Sequence, residues 1–127
     1  MKRHADFLGV LYLAWGAIFT LVGIAGSALA AGALAIAWDT GPVRVGSDLA
    51  AGLTAFTLGV IAVLALLWGV LHLWLGASLR RYTYWARLLA LGLALINLVL
   101  FPFGTALGAY ACWVLLNEEG RALYHAP

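Results

Sequence analysis

Apolar residues run through three stretches of the chain, Phe7 to Trp38, Leu49 to Leu79 and Leu88 to Asn117, none of which contains a Lys, Arg, Asp or Glu. Each is longer than the ~20 residues that an α-helix needs to cross ~30 Å of hydrocarbon. The pattern predicts an all-α, polytopic membrane protein. The third stretch holds Phe101-Pro102-Phe103-Gly104 near its middle, and a proline removes a backbone donor and crowds the preceding turn. One kinked helix and a helical hairpin both fit. The hairpin is favoured, because Pro followed closely by Gly is turn chemistry and helices tend to end at or before the residue preceding a proline. The expected architecture is a single four-helix transmembrane bundle, with two long N-terminal helices at about 7–37 and 49–78 and a Pro-Gly-linked C-terminal hairpin of helices at about 82–101 and 103–121. The first two exceed what the hydrocarbon core requires, which predicts tilt or a short outer protrusion joined through a Thr40-Gly41-Pro42 turn.

Composition strengthens the membrane reading. Of 127 residues, 65% are hydrophobic and 9% charged, whereas about a quarter of an ordinary soluble domain is charged. Basic residues orient the helices, since Lys and Arg accumulate in short cytoplasmic loops. The four-helix arrangement places Lys2, Arg3, Arg80, Arg81, Arg87 and Arg121 on the cytoplasmic side and leaves only Arg44 outside, in the loop from Asp39 to Asp48. Three helices would send Arg121 outside. The expectation is an inner-membrane protein with both termini cytoplasmic, the lipid bilayer as its first partner, and Arg80, Arg81 and Arg87 at the lipid headgroups. Tyr82, Tyr84 and Trp85 on one side and Trp38 on the other fit interfacial aromatic belts. The net charge of +2 is scattered over helix ends with no aromatic platform, so no nucleic-acid partner is expected. The single cysteine, Cys112, excludes an internal disulfide. The start, Met1-Lys2-Arg3-His4 followed by an apolar run to Ala28-Leu29-Ala30, imitates a secretory signal. Its run is longer than the ~7–15 apolar residues of such signals, so a retained first helix is expected.

Helices in lipid associate through small residues and a few hydrogen bonds. Gly16, Thr20, Gly23, Ser27 and Ala30 share one face of helix one, and Gly104-Thr105-Ala106-Leu107-Gly108 opens helix four with a G-x-x-x-G. These faces are read as packing within the bundle, with a homo-oligomer interface as the other reading. Polar residues inside the apolar runs are few. Asn97 and Thr105 flank the hairpin and lie near mid-membrane with Thr20 and Thr57, as candidates for interhelical hydrogen bonds.

His72 is the only titratable imidazole within these runs. Tyr12 and Tyr110 are expected at its depth, and a neutral imidazole bonded to one of them is the plainest reading. Proton relay and haem or metal ligation are the other two. Ligation is weakened because His4 and His125 are expected in terminal segments outside the helices. Gly69-Val70-Leu71-His72-Leu73-Trp74-Leu75-Gly76 echoes Gly9-Val10-Leu11-Tyr12-Leu13-Ala14-Trp15-Gly16 at five of eight positions. The two segments run in opposite directions, and the echo is read as coincidence. Nucleophile, metal and phosphate-loop motifs are absent, so neither an enzyme nor a cofactor is expected.

The segment from His72-Leu73-Trp74-Leu75-Gly76 through Tyr84-Trp85-Ala86-Arg87 and Asn97 to Gly108, ending at Trp113-Val114-Leu115-Leu116, resembles small four-helix integral membrane proteins of bacteria. That resemblance implies topology and an inner-membrane location, without an activity to carry over. The expected role is a non-enzymatic accessory subunit or homo-oligomer acting through helix packing, alone or with a partner membrane protein. An oligomeric channel or transporter for a small solute or protons, built near His72, Asn97 and Thr105, is the second reading. A haem- or quinone-associated accessory subunit is the third.

Overall fold

The structure, a computed structural model, describes residues 1–38, 45–99 and 102–124. Among them the chain is helical without a strand, in the order α1 (Lys2–Ala37), α2 (Val45–Arg80), α3 (Tyr84–Val99), α4 (Phe103–Leu116) and α5 (Glu118–Leu123). The Thr40-Gly41-Pro42 turn, Asp39, Arg44, Phe101 and His125 lie outside the described residues. Two helices, α1 and α2, are long and apolar enough to cross a membrane. The chain divides into two compact units, Met1–Trp15 with Leu71–Pro127, and Gly16–Val70.

In the Gly16–Val70 unit, the glycines of α1 meet α2 at close range. A Cβ on Gly23 would lie 2.6 Å from Leu66 Cγ, and one on Gly69 would lie 2.6 Å from the Thr20 nitrogen and 2.8 Å from the Gly16 carbonyl oxygen. Gly16 and Gly23 thus sit in an intramolecular contact. The hydroxyls of this unit turn back on their own helices: Thr20 donates to the Gly16 carbonyl, Ser27 to Gly23 and Thr57 to Leu53. Interhelical bonds expected of Thr20 and Thr57 are replaced by this local bonding, because in a helix the carbonyl four residues back is always within a hydroxyl's reach.

The other unit contains the start of α1, the end of α2 and the remaining helices. A second close crossing occurs here, where a Cβ on Gly76 would lie 2.8 Å from the Gly9 carbonyl oxygen and 2.9 Å from the Leu13 nitrogen. The α3 and α4 helices pack together as the expected hairpin. Pro102 precedes α4, and Thr105 donates to the Leu98 carbonyl at 2.9 Å, tying the start of one helix to the end of the other. Gly104 is buried, and a Cβ on Gly108 would lie 2.5 Å from the Ala94 carbonyl oxygen.

Several helix ends differ from the expected spans: α1 and α2 begin earlier, at Lys2 and Val45, and two further differences have a local cause. Helix α3 begins at Tyr84 because α2 ends in a Schellman arrangement, with Thr83 N–H donating to Ser78 and Tyr82 N–H to Leu79. Tyr82 takes the left-handed position at φ 54°, where glycine is usual. The fourth helix, expected to reach about 121, stops at Leu116. Asn117 is extended and its side chain accepts from Glu119 N–H, which caps a separate short helix, α5. Gly120 then passes so near the Val114 carbonyl that no side chain fits there.

Candidate functional site

The most concentrated buried polar group in the first unit is formed by Tyr12, His72 and Asn97, all wholly buried. They come from α1, α2 and α3. Asn97 Nδ2 lies 3.1 Å from His72 Nε2. Tyr12 stacks on the imidazole, with ring centroids 5.4 Å apart and planes 18° apart, and its hydroxyl donates to the Ala90 carbonyl at 3.0 Å. An amide nitrogen can only donate, so this orientation makes Nε2 the acceptor and puts the imidazole proton on Nδ1. Asn97 Oδ1 is then buried without a hydrogen-bond partner. Rotating the amide exchanges these roles, letting Oδ1 accept from a protonated Nε2.

Of the five polar residues picked out from sequence, three come together here. Thr105 instead closes the hairpin, and Tyr110 bonds His4 Nδ1 at 3.0 Å through its hydroxyl. His4 lies on α1, which starts at Lys2 rather than near Phe7, and its ring also meets Trp113 edge-on at 5.4 Å. The continuity of residues 2–7, which hold no Gly or Pro, was the available signal for that earlier start. Among the described residues no three His, Cys, Asp or Glu side chains form a metal-binding group.

A second polar layer surrounds the turn between α2 and α3. Arg87 departs from the headgroup expectation: it is buried, and Nε donates to the Leu115 carbonyl at 3.0 Å. The last carbonyls of a helix have no partner of their own, and this guanidinium supplies one where α4 breaks. Arg80 and Arg81 stay exposed. Tyr82 donates to Asp6 Oδ1 at 2.9 Å, and Tyr124 donates to the Leu79 carbonyl at 3.3 Å. Burial, with the Asp6 bond and charge adding to it, pushes the Tyr82 hydroxyl above the ordinary tyrosine range, while Arg80 opposes the shift.

Tyr124 is pushed up to about 12, chiefly by burial and then by Tyr82 and Asp6, with Arg87 acting the other way. Because the folded value lies above the unfolded one of 10.0, the folded state holds the proton longer. The corresponding stability is fully present below pH 10.0 and is lost as pH rises to about 12. Alkaline unfolding followed by circular dichroism should therefore steepen in that window, and Tyr124→Phe should flatten it. An unchanged profile in the variant would assign the window to other groups.

Compared with known protein families, curated proteins and solved structures, the chain matches none.

Proposed function

We propose that the chain is a multi-pass inner-membrane protein without catalytic activity, acting through helix packing as a homo-oligomer. The observation that carries this reading is the surface of the Gly16–Val70 unit. Leu21, Ile36, Phe56 and Leu67 are each at least 65% exposed, and Gly32, Gly52 and Gly59 face open space where an added Cβ meets nothing within 4 Å. Such a surface suits lipid and other helices rather than water, since soluble monomers seldom show continuous apolar patches beyond a few hundred Å². Gly52 and Gly59 are two turns apart on one side of α2 and line an apolar hollow with Ala55, Phe56 and, from α1, Ala31 and Leu34. Close helix approach in lipid uses small residues in this way.

The topology in this reading has four crossings with cytoplasmic termini. It is supported by the hairpin about Pro102 and by the basic residues near Arg80 and Arg121. The 16 and 14 residues of α3 and α4 are short for ~30 Å, a mismatch that local bilayer thinning and interfacial side chains accommodate at modest cost.

The mass of the solubilised particle, corrected for bound detergent, tests the assembly. A particle of more than one chain is expected, falling to a single chain when Gly52 and Gly59 are both replaced by valine while the helical content is kept. A native particle of one chain overturns the homo-oligomer. A reporter fused at Pro127 tests the topology, and an external signal removes the fourth crossing.

A further inference from the structure

We propose that the groove lined by Asp6, Val10, Leu13, Ala77, Arg80 and Arg81 binds a phospholipid whose headgroup carries a primary ammonium beside its phosphate. The inference rests on the membrane reading above and names a ligand for one site within it. The groove has a volume of about 460 Å³, and all of its lining residues belong to the unit formed by Met1–Trp15 and Leu71–Pro127.

Its charges are arranged in a way that a headgroup of both signs would complete. Two guanidinium groups and one carboxylate line the same groove, yet among the described residues Asp6 forms no ion pair with either arginine. Arg80 is set in place by its stem. A Cβ on Gly9 would lie 2.6 Å from Arg80 Cγ and 3.4 Å from Cδ, so only a glycine lets that stem lie along α1. Long basic side chains commonly rest an apolar stem on a neighbour and leave the charged head at the interface.

Asp6 is set in place by Tyr82. The Tyr82 hydroxyl bonds Oδ1, and the tyrosine holds a left-handed backbone conformation while doing so. Strain of that kind persists where surrounding contacts over-determine it. Oδ2 remains for a ligand. The guanidinium groups match a phosphate through charge-assisted bonds, the carboxylate matches an ammonium that can donate hydrogen bonds, and Val10, Leu13 and Ala77 give an apolar floor for the start of an acyl chain. A phosphatidylcholine headgroup carries the same charges, but its quaternary ammonium has no hydrogen to donate to Asp6. A phosphatidylglycerol headgroup has no cation at all.

The test uses the full chain, delipidated in detergent and titrated separately with phosphatidylethanolamine, phosphatidylcholine and phosphatidylglycerol, with bound lipid counted by native mass spectrometry. Phosphatidylethanolamine should bind about tenfold more tightly than either of the others, the scale of one charge-assisted hydrogen bond. Asp6→Asn should remove that preference and retain phosphate-dependent binding, while Arg80→Gln with Arg81→Gln should weaken all three lipids. Tyr82→Phe, which releases Asp6 without removing its charge, should reduce the preference only in part. Equal binding of the three lipids by the native chain, or a preference unaffected by Asp6→Asn, overturns the site. Soluble phosphoethanolamine competing as well as the lipid would overturn the lipid as its source. Extraction of the native chain from membranes by alkaline carbonate would instead overturn the membrane reading.

Discussion

Gly76→Val should destabilise the fold more than Gly9→Val, whose nearest obstacle is the Arg80 side chain. At Gly76 the atoms in the way are backbone, the Gly9 carbonyl oxygen and the Leu13 nitrogen, neither of which can swing aside as a side chain does. Overpacking a well-packed interior costs about 1–3 kcal/mol, and immovable neighbours put this case at the upper end. Gly92→Val is the matched control. It lies on α3 in the same unit, its added Cβ meets nothing within 4 Å, and its effect should stay within about 0.5 kcal/mol. Unfolding in mixed micelles, followed by loss of helical signal, separates the two. Similar midpoints for both variants would show that the α1–α2 crossing yields to an added side chain.

The second large effect is expected at the buried His72–Asn97 pair. Each residue reaches the other across two helices, and removing either leaves polar atoms buried without that partner, which costs about 1–3 kcal/mol in protein interiors. Interhelical bonds in membranes average only ~0.6 kcal/mol when both partners are considered. A double-mutant cycle of His72→Phe and Asn97→Leu distinguishes these figures. Each single variant should be clearly destabilised, and the double variant less than the sum, because the second substitution removes the atom that the first had stranded. Phenylalanine at position 72 keeps a ring for Tyr12 to stack on. Strict additivity would mean that the contact contributes nothing of its own.

These two predictions also mark what could be read in the chain. The apolar runs, the split at Pro102 and the isolation of His72 among apolar residues follow from residue type and spacing. Which glycines are crowded does not, because crowding depends on the neighbouring helix. Gly76 and Gly92 look alike in sequence, and only the structure separates them. The echo between residues 9–16 and 69–76 needs nothing beyond coincidence as a sequence pattern, yet its ends meet in reverse order: Gly9 meets Gly76 and Tyr12 meets His72 in one unit, while Gly16 meets Gly69 in the other. Opposite chain direction is what allows such a match, since reversing one helix of the pair brings the first position of one segment to the last of the other.

Other features were hidden for local reasons. Tyr82 carries no sign of a left-handed turn, because the usual residue there is glycine. Asn117 ends an uncharged run and looks like one more helical position, whereas its short amide makes it a good cap. Asp6 and His4 lay beyond the expected start of α1, so their partners, Tyr82 and Tyr110, could not be paired with them from sequence.

The bond from Arg87 to the Leu115 carbonyl bears on how the C-terminal helices form. The final turn of α4 is completed by a side chain from α3, so α4 alone would leave that carbonyl without its native donor, and α3 alone would carry the Arg87 guanidinium without this acceptor. The hairpin is therefore the smallest segment in which both are satisfied. Parting the two helices removes this contact from both, so α3 and α4 reach their native ends only as a pair.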